Sequence, residues 1–256
     1  MKSKLSITLD EKIIKSLDKY IDGVNIRNRS QAIEFFISKH LSQNRIAVIL
    51  ASKIEPFRIL AKIKGQPLIM HTVKLLQSYN FKKLFVIGEK EILSQVFTVL
   101  GTGQEYLMSI EYVEDVNPKG SAASLSLLKN KVDSTFLVVP ADNFFNTDIN
   151  SFWTFHVKSG KLVNLAISAA SNPTKLGIID LQGGSIVGFE QKPKKSTSYL
   201  IWTGIMICEP EILYYNCNSI EKDLIPKLIL TRDLGGFVFA GQWKNIHTKK
   251  DIEDLR

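Results

Sequence analysis

The reading of this chain turns on "RIAVILASKIEPFRILAKIKGQPLI", residues 45–69. Ile46 to Ala51 is an unbroken apolar run, the pattern of a strand covered on both faces. "PLIMHTVKLLQSYN", beginning at Pro67, reads as a helix. Strand, loop and helix in that order open an α/β sheet, in which ligands sit beyond the carboxyl ends of the strands. Yet the loop, Ser52-Lys53-Ile54-Glu55-Pro56-Phe57, holds no glycine, and Pro56 has no N–H to offer a phosphate. The unit also starts only after 44 residues of other sequence.

Downstream the alternation continues. "KLFVIG" is a strand, "EILSQVFTVLG" a helix, "SIEYVED" a strand, "SAASLSLLKNKV" a helix and "TFLVVPAD" a strand. "LVNLAISAA", "LGIIDL", "SIVGFEQ" and "IWTGIMICE" then add strands with short connections. The expected architecture is α/β, with a Rossmann-like, mostly parallel but mixed sheet over residues 45–256 and a separate small domain over residues 1–44.

The 256 residues are 45% hydrophobic and 23% charged, which supports a full core in a globular protein. No apolar run approaches the roughly 18–20 residues that span a bilayer. The opening Met-Lys-Ser-Lys-Leu-Ser-Ile-Thr lacks a secretory h-region, so a cytoplasmic protein with no membrane partner is expected. Cys208 and Cys217 flank no His cluster and are expected to be buried thiols.

Of the net charge of +8, about half arises before residue 46: nine Lys and Arg stand against five Asp and Glu through Arg45. That asymmetry fits an anionic partner or a solvated basic surface. "KLSITLD" alternates, with Leu5, Ile7 and Leu9 on one side and Lys4, Ser6 and Thr8 on the other. Asp10 can cap a helix bearing Ile13, Ile14, Leu17 and Ile21, which Gly23 would end. Ser30 can cap a second helix whose apolar face is Ala32, Ile33, Phe36, Ile37, His40 and Leu41. One strand and two helices in about 40 residues bury too little surface to fold alone, whereas a second copy would pair the strand. This order resembles the ribbon-helix-helix DNA-binding domains of the Arc and MetJ type. The resemblance implies a homodimer or higher even oligomer on double-stranded DNA with a palindromic operator. Lys4, Ser6 and Thr8 would read base edges, and Arg29 and Ser30 would anchor a phosphate. An edge strand and two helices packed as an extension is the alternative.

Residues 46–256 resemble the sugar-phosphate nucleotidyltransferases, which join a nucleoside triphosphate to a sugar 1-phosphate. "KIKGQPLI" is similar to the segment after the family's lysine-bearing turn, with Arg58 where that lysine lies. "NPKGSAASL" supplies Gly120 at the base-side turn, with Asp115 near a base-contact position, and "LVVPADNFF" supplies Asp142 as the metal-binding aspartate. "KLGIIDL" supplies Gly177 as a sugar contact, "GFEQKP" supplies Glu190 and Lys192 for sugar and phosphate, and "IWTGIMIC" supplies Thr203 and Gly204. "GQWKNIHTKKDI" resembles the closing W-x-D-I-G-T segment, with Asn245 in the place of an aspartate.

Three departures shape the functional expectation, one of them Asp115 at its position near the base contact. The family's first loop, roughly G-G-x-G-T-R, has lost its glycines here, and Asn245 carries no charge for Mg²⁺. The expected protein is therefore a DNA-binding transcriptional regulator whose catalytically degenerate domain senses a sugar phosphate or nucleotide sugar. It would need no cofactor, with Mg²⁺ entering only alongside a bound nucleotide. The alternative is an active sugar-1-phosphate nucleotidyltransferase dimerised or autoregulated by its first 44 residues, with Arg58, Asp142 and Lys192 in its catalytic site and Lys53 replacing the loop arginine.

Overall fold

The computed structural model describes residues 6–43, 45–196 and 198–255, with side chains left undescribed at 38–43. The chain divides into two compact units, Met1–Asn44 and Arg45–Arg256.

In the first unit, α1 (Glu11–Asp18) begins where Asp10 accepts the Lys12 N–H at 2.7 Å, as an N-cap carboxylate should. It stops at Asp18, short of Gly23. The connection folds instead around Asp22, whose carboxylate accepts the N–H groups of Val24, Asn25 and Ile26, which holds its carboxyl down at about 2. In α2 (Arg29–Gln43) the cap is Asn28, which accepts the Gln31 N–H at 2.9 Å. Ser30 therefore falls inside the first turn and does not cap. Arg29 is also spoken for: its guanidinium meets both Asp18 carboxylate oxygens, at 2.7 and 2.8 Å. A bidentate pair of this kind occupies the fork that was expected to face a phosphate. Residues 6–10 form no strand; Ser6 and Thr8 are exposed, and Lys4 lies outside the described residues. Leu17 and Ala32 are the buried apolar side chains described in this unit.

The second unit runs through β1 (Ile46–Leu50), α3 (Pro56–Ile59), β2 (Lys62–Ile63), β3 (Gln66–Pro67), α4 (Leu68–Ser78), β4 (Lys83–Gly88) and α5 (Lys90–Leu100). It continues with β5 (Ser109–Glu114), α6 (Ser121–Ser126), β6 (Phe136–Pro140), β7 (Asn143–Asn146), α7 (Ile149–Ser159), β8 (Val163–Ala169), β9 (Gly177–Gln182) and β10 (Ser185–Gln191). β11 (Leu200–Cys208), α8 (Ile225–Leu230), β12 (Leu234–Val238), β13 (Gln242–Asn245) and α9 (Lys249–Glu253) complete it.

Among the described residues, nine strands make one sheet in the order β5-β4-β1-β6-β11-β8-β12-β10-β9. β5, β4, β1 and β6 are parallel, as the alternating helices require. β11 enters antiparallel to β6 and β8, so the second half is mixed. One face packs Ile49, Val86, Leu137 and Phe152, and the other packs Val48, Phe85, Val138 and Leu224. Each such side chain, fully buried, contributes about 1.5–3 kcal/mol. The helix expected through Val132 ends at Ser126: from Leu127 the N–H groups bond three residues back, and Asn130 takes a left-handed φ of 62°. Cys208 and Cys217 are free and buried, as expected. No helix among the described residues is long and apolar enough to cross a membrane.

Two features fix what stands at the carboxyl ends of β1 and β6. β7 and β13 pair antiparallel, with Asn245 opposite Asn143, although about a hundred positions separate them in the chain. The Ile246 N–H then reaches the Asp142 carbonyl at 2.9 Å. β9 and β10 form a hairpin in which Gln191 faces Gly177.

Candidate active site

Beyond the last residues of β1 and β6, Leu50 and Pro140, lies a cavity of about 300 Å³. That is the low end of the range for small-molecule sites, at the position where open α/β sheets bind ligands. Three groups of residues line it. One wall is the glycine-free loop with Gly120, Ser121 and Ser124, joined by Ile220 and Glu221. The opposite wall is Lys175 to Gly177, Gln191, Lys192 and Trp202 to Gly204. Trp243, Asn245 and His247 close it from the β13 side.

The loop wall is held by carboxylates. Asp115, almost fully buried, accepts the Ser52 hydroxyl at 3.0 Å and the Ser124 hydroxyl at 2.5 Å. Glu89 accepts the Lys53 N–H at 3.0 Å. Lys53 itself takes φ 60°, the left-handed conformation a glycine would supply without strain. Pro56 starts α3 at a first-turn position, where the lost N–H is not missed. Glu55 is turned onto Arg58 at 2.7 Å, which offsets the charge that would otherwise repel a phosphate. At Gly120 a Cβ would come 2.5 Å from the Asn218 carbonyl oxygen, so the close approach of these two segments needs glycine.

Asp142 stands beside this wall. Its carboxylate is 3.9 Å from Arg58, and the same guanidinium is 3.1 Å from Nδ1 of His247. Since arginine can only donate, that Nδ1 accepts. Burial pushes the Asp142 carboxyl above the ordinary value, against the pull of the Arg58 guanidinium. Nearby, Oδ1 of Asn245, Oδ1 of Asn143 and Nε of Arg58 are buried with no hydrogen-bond partner. Among the described residues no cluster of three or more His, Cys, Asp or Glu could hold a metal by itself. Mg²⁺, however, is ordinarily held by one or two carboxylates together with substrate phosphates. One buried carboxylate and one orphaned amide oxygen fit such a half-site.

Of the residues expected from sequence, Gly120, Gly177, Lys192, Thr203, Gly204 and Asn245 line the cavity. Arg58 and Asp142 do not line it; they pair with one another at 3.9 Å. Glu190 is not brought in: on β10 it alternates with Gln191, which lines the cavity, and it is exposed outside. Thr203 is present, but its hydroxyl is spent on the Ala166 carbonyl at 2.8 Å and its carbonyl accepts from Asn143 and Trp243. Gly204 takes φ 86°, and a Cβ there would come 2.6 Å from Pro140. Sequence reasoning missed Lys175, Gln191, Glu221 and His247. His247 sits in the quoted "NIHTKK" and could have been flagged as an ionisable group beside the metal position. The other three carry no signal of their own in a single sequence.

The family model described as Nucleotidyl transferase matches residues 52–255. The mannose-1-phosphate guanyltransferase of Saccharomyces cerevisiae is 24% identical over 202 residues, covering 75% of this chain and 56% of that protein. Mannose-1-phosphate guanylyltransferase 1 of Arabidopsis thaliana is 24% identical over 209 residues, covering 77% and 57%. The chain thus spans little more than half the length of these curated relatives. A crystal structure from Bacillus anthracis, provisionally assigned as a glucose-1-phosphate thymidylyltransferase and bound to sucrose, matches with a TM-score of 0.74 at 23% identity over 82% of this chain and 93% of that one. These findings correct the expectation of a DNA-binding transcriptional regulator with a stripped sensor domain. The similarity runs to nucleotidyltransferases across the large unit. The double-stranded DNA partner goes with that reading.

Proposed function

Because this chain belongs to the nucleotidyl transferase family, we propose that its large unit is an active sugar-1-phosphate nucleotidyltransferase. In this reaction a phosphate oxygen of the sugar 1-phosphate attacks the α-phosphorus of a nucleoside triphosphate. The bond to the β-phosphate oxygen breaks, and pyrophosphate leaves. The protein has little covalent chemistry to do; it positions the reactants and offsets charge.

The observation that supports the reading is the convergence on one cavity of Gly120, Gly177, Lys192, Gly204 and Asn245, drawn from well-separated stretches of chain. The nucleotide lies against the loop wall, with Lys53 supplying the positive charge that the altered loop no longer takes from an arginine. Lys192 receives the sugar phosphate. Asp142 and Asn245 would hold Mg²⁺, which when bound offsets charge on the triphosphate as it develops toward pyrophosphate. Arg58, 3.9 Å away, favours the ionised form of Asp142.

The names of the relatives make mannose 1-phosphate with guanosine triphosphate, and glucose 1-phosphate with thymidine triphosphate, the first pairs to assay. With Mg²⁺, pyrophosphate release should reach on the order of 1 per second. No release from any pairing of common nucleoside triphosphates with sugar 1-phosphates would overturn the reading.

A further inference from the structure

The two walls of the cavity differ in charge in a way the shared reaction does not require. The resemblance supplies the sugar-side wall with one carboxylate, Glu190, and one ammonium, Lys192. In the structure Glu190 lies outside the cavity, and a second ammonium, Lys175, lines it. The two lysines come from neighbouring ends of one hairpin. Gln191 faces Gly177 across β9 and β10, and the Lys192 N–H donates to the Leu176 carbonyl at 2.9 Å. Lys194 and Lys195 follow in an exposed stretch and add positive potential. The cavity's carboxylate, Glu221, belongs to the other wall, where it accepts from Ser121 at 3.3 Å and Ser219 at 3.0 Å.

A neutral sugar presents hydroxyl groups, each of which can donate as well as accept. A wall built for them offers acceptors, and a carboxylate is the strongest. This wall offers two ammoniums, the Trp202 indole and one amide, Gln191, whose Oε1 lies over Gly177. The Trp202 N–H is already given to the Ile205 carbonyl at 3.1 Å, and the Thr203 hydroxyl to Ala166. What remains is rich in cationic donors and poor in acceptors.

We infer that the sugar 1-phosphate taken by this site carries a second anionic group, a carboxylate or a second phosphate, which Lys175 receives while Lys192 receives the 1-phosphate. The inference rests on the reading of the large unit as a sugar-phosphate site. It adds the chemical class of the sugar.

Glucuronic acid 1-phosphate and glucose 1-phosphate differ only in a carboxylate at C6, and glucose 1,6-bisphosphate carries a phosphate there. Titrated calorimetrically into the full chain at low ionic strength, at least one acidic compound should bind about tenfold more tightly than glucose 1-phosphate, as one added charge-assisted contact allows. Lys175→Glu should cut affinity for the acidic compound at least about tenfold more than for the neutral one. Raising the salt to about 1 M should shrink the preference, because Lys175 is exposed. Equal affinities, a preference for the neutral sugar, or a Lys175→Glu loss shared equally by both would overturn the inference. An acidic sugar phosphate that binds with the expected preference, yet releases no pyrophosphate with any nucleoside triphosphate, would sink the enzymatic reading and leave this inference standing.

Discussion

The two walls of the cavity solve the same problem by different means. On the loop wall the backbone has lost the residues that would shape it freely, and side chains hold it instead: Asp115 through Ser52 and Ser124, Glu89 through the Lys53 N–H, Glu55 through Arg58. On the hairpin wall the ladder between β9 and β10, which starts at Gly177, and the left-handed Gly204 inside β11 set the shape, and the side chains are left to meet a ligand. A wall held by side chains can be loosened by single substitutions of polar groups. A wall held by the ladder should resist them.

The largest effect is expected between the walls. Asp142→Asn should lower kcat at least about 100-fold if the carboxylate offsets charge at the reacting phosphates. The same change should stabilise the protein measured without nucleotide or Mg²⁺. Burial raises the Asp142 carboxyl above its unfolded value. A raised folded-state value favours folding at low pH, and that advantage is lost as the pH rises through it, so the ionised group costs stability at neutral pH. Melting curves at pH 7 should show the variant higher, and the difference should narrow as the pH is lowered. A variant that melts lower at pH 7 would refute the account of Asp142.

Next comes the loop wall. Asp115→Ala should cost about 2 kcal/mol, because Ser52 is left without its acceptor while Ser124 can still turn to the Gly120 carbonyl at 3.0 Å. Denaturant titration measures the loss, and KM for the nucleotide should rise with it. Lys53→Gly should separate shape from charge. It relieves the left-handed strain and stays within about 1 kcal/mol in stability, yet it should raise the nucleotide KM about tenfold by removing an ammonium. An unchanged KM would show that Lys53 does not stand in for the loop arginine.

The smallest effect belongs to the hairpin wall. Thr203→Val removes a hydroxyl that already serves Ala166, so it should cost about 1 kcal/mol of stability. KM for the sugar phosphate should move less than about twofold, since the backbone keeps its course. A large KM change would mean that the hydroxyl leaves Ala166 for the ligand.

How much of this was legible depended on the range of the interaction. β4 and β10 fall on the quoted "KLFVIG" and "SIVGFEQ", because apolar runs and alternation are local signals. The cap at Asp10 was legible for the same reason. The cap at Asn28 was misplaced by two residues onto Ser30, since both are good caps and only the observed geometry chooses between them. Glu190 was assigned by motif, but which side of β10 faces the cavity depends on pairing with β9, and adjacent residues point to opposite faces. The altered loop suggests lost chemistry because glycine is the strain-free route to that turn. Lys53 adopts the turn regardless, since neighbouring carboxylates over-determine it.

The sequence by itself determined the α/β class, the parallel core and the small set of positions from which a site could be drawn, because hydrophobic period and turn chemistry act over a few residues. The tertiary structure alone decided which of those positions meet. It laid β13 against β7 so that Asn245 stands opposite Asn143, the residue after Asp142, and it put Lys175 beside Lys192 while turning Glu190 away. The physical reason is that strand order and register are settled by burying both faces of one sheet, a condition on the whole chain that no short stretch of it encodes.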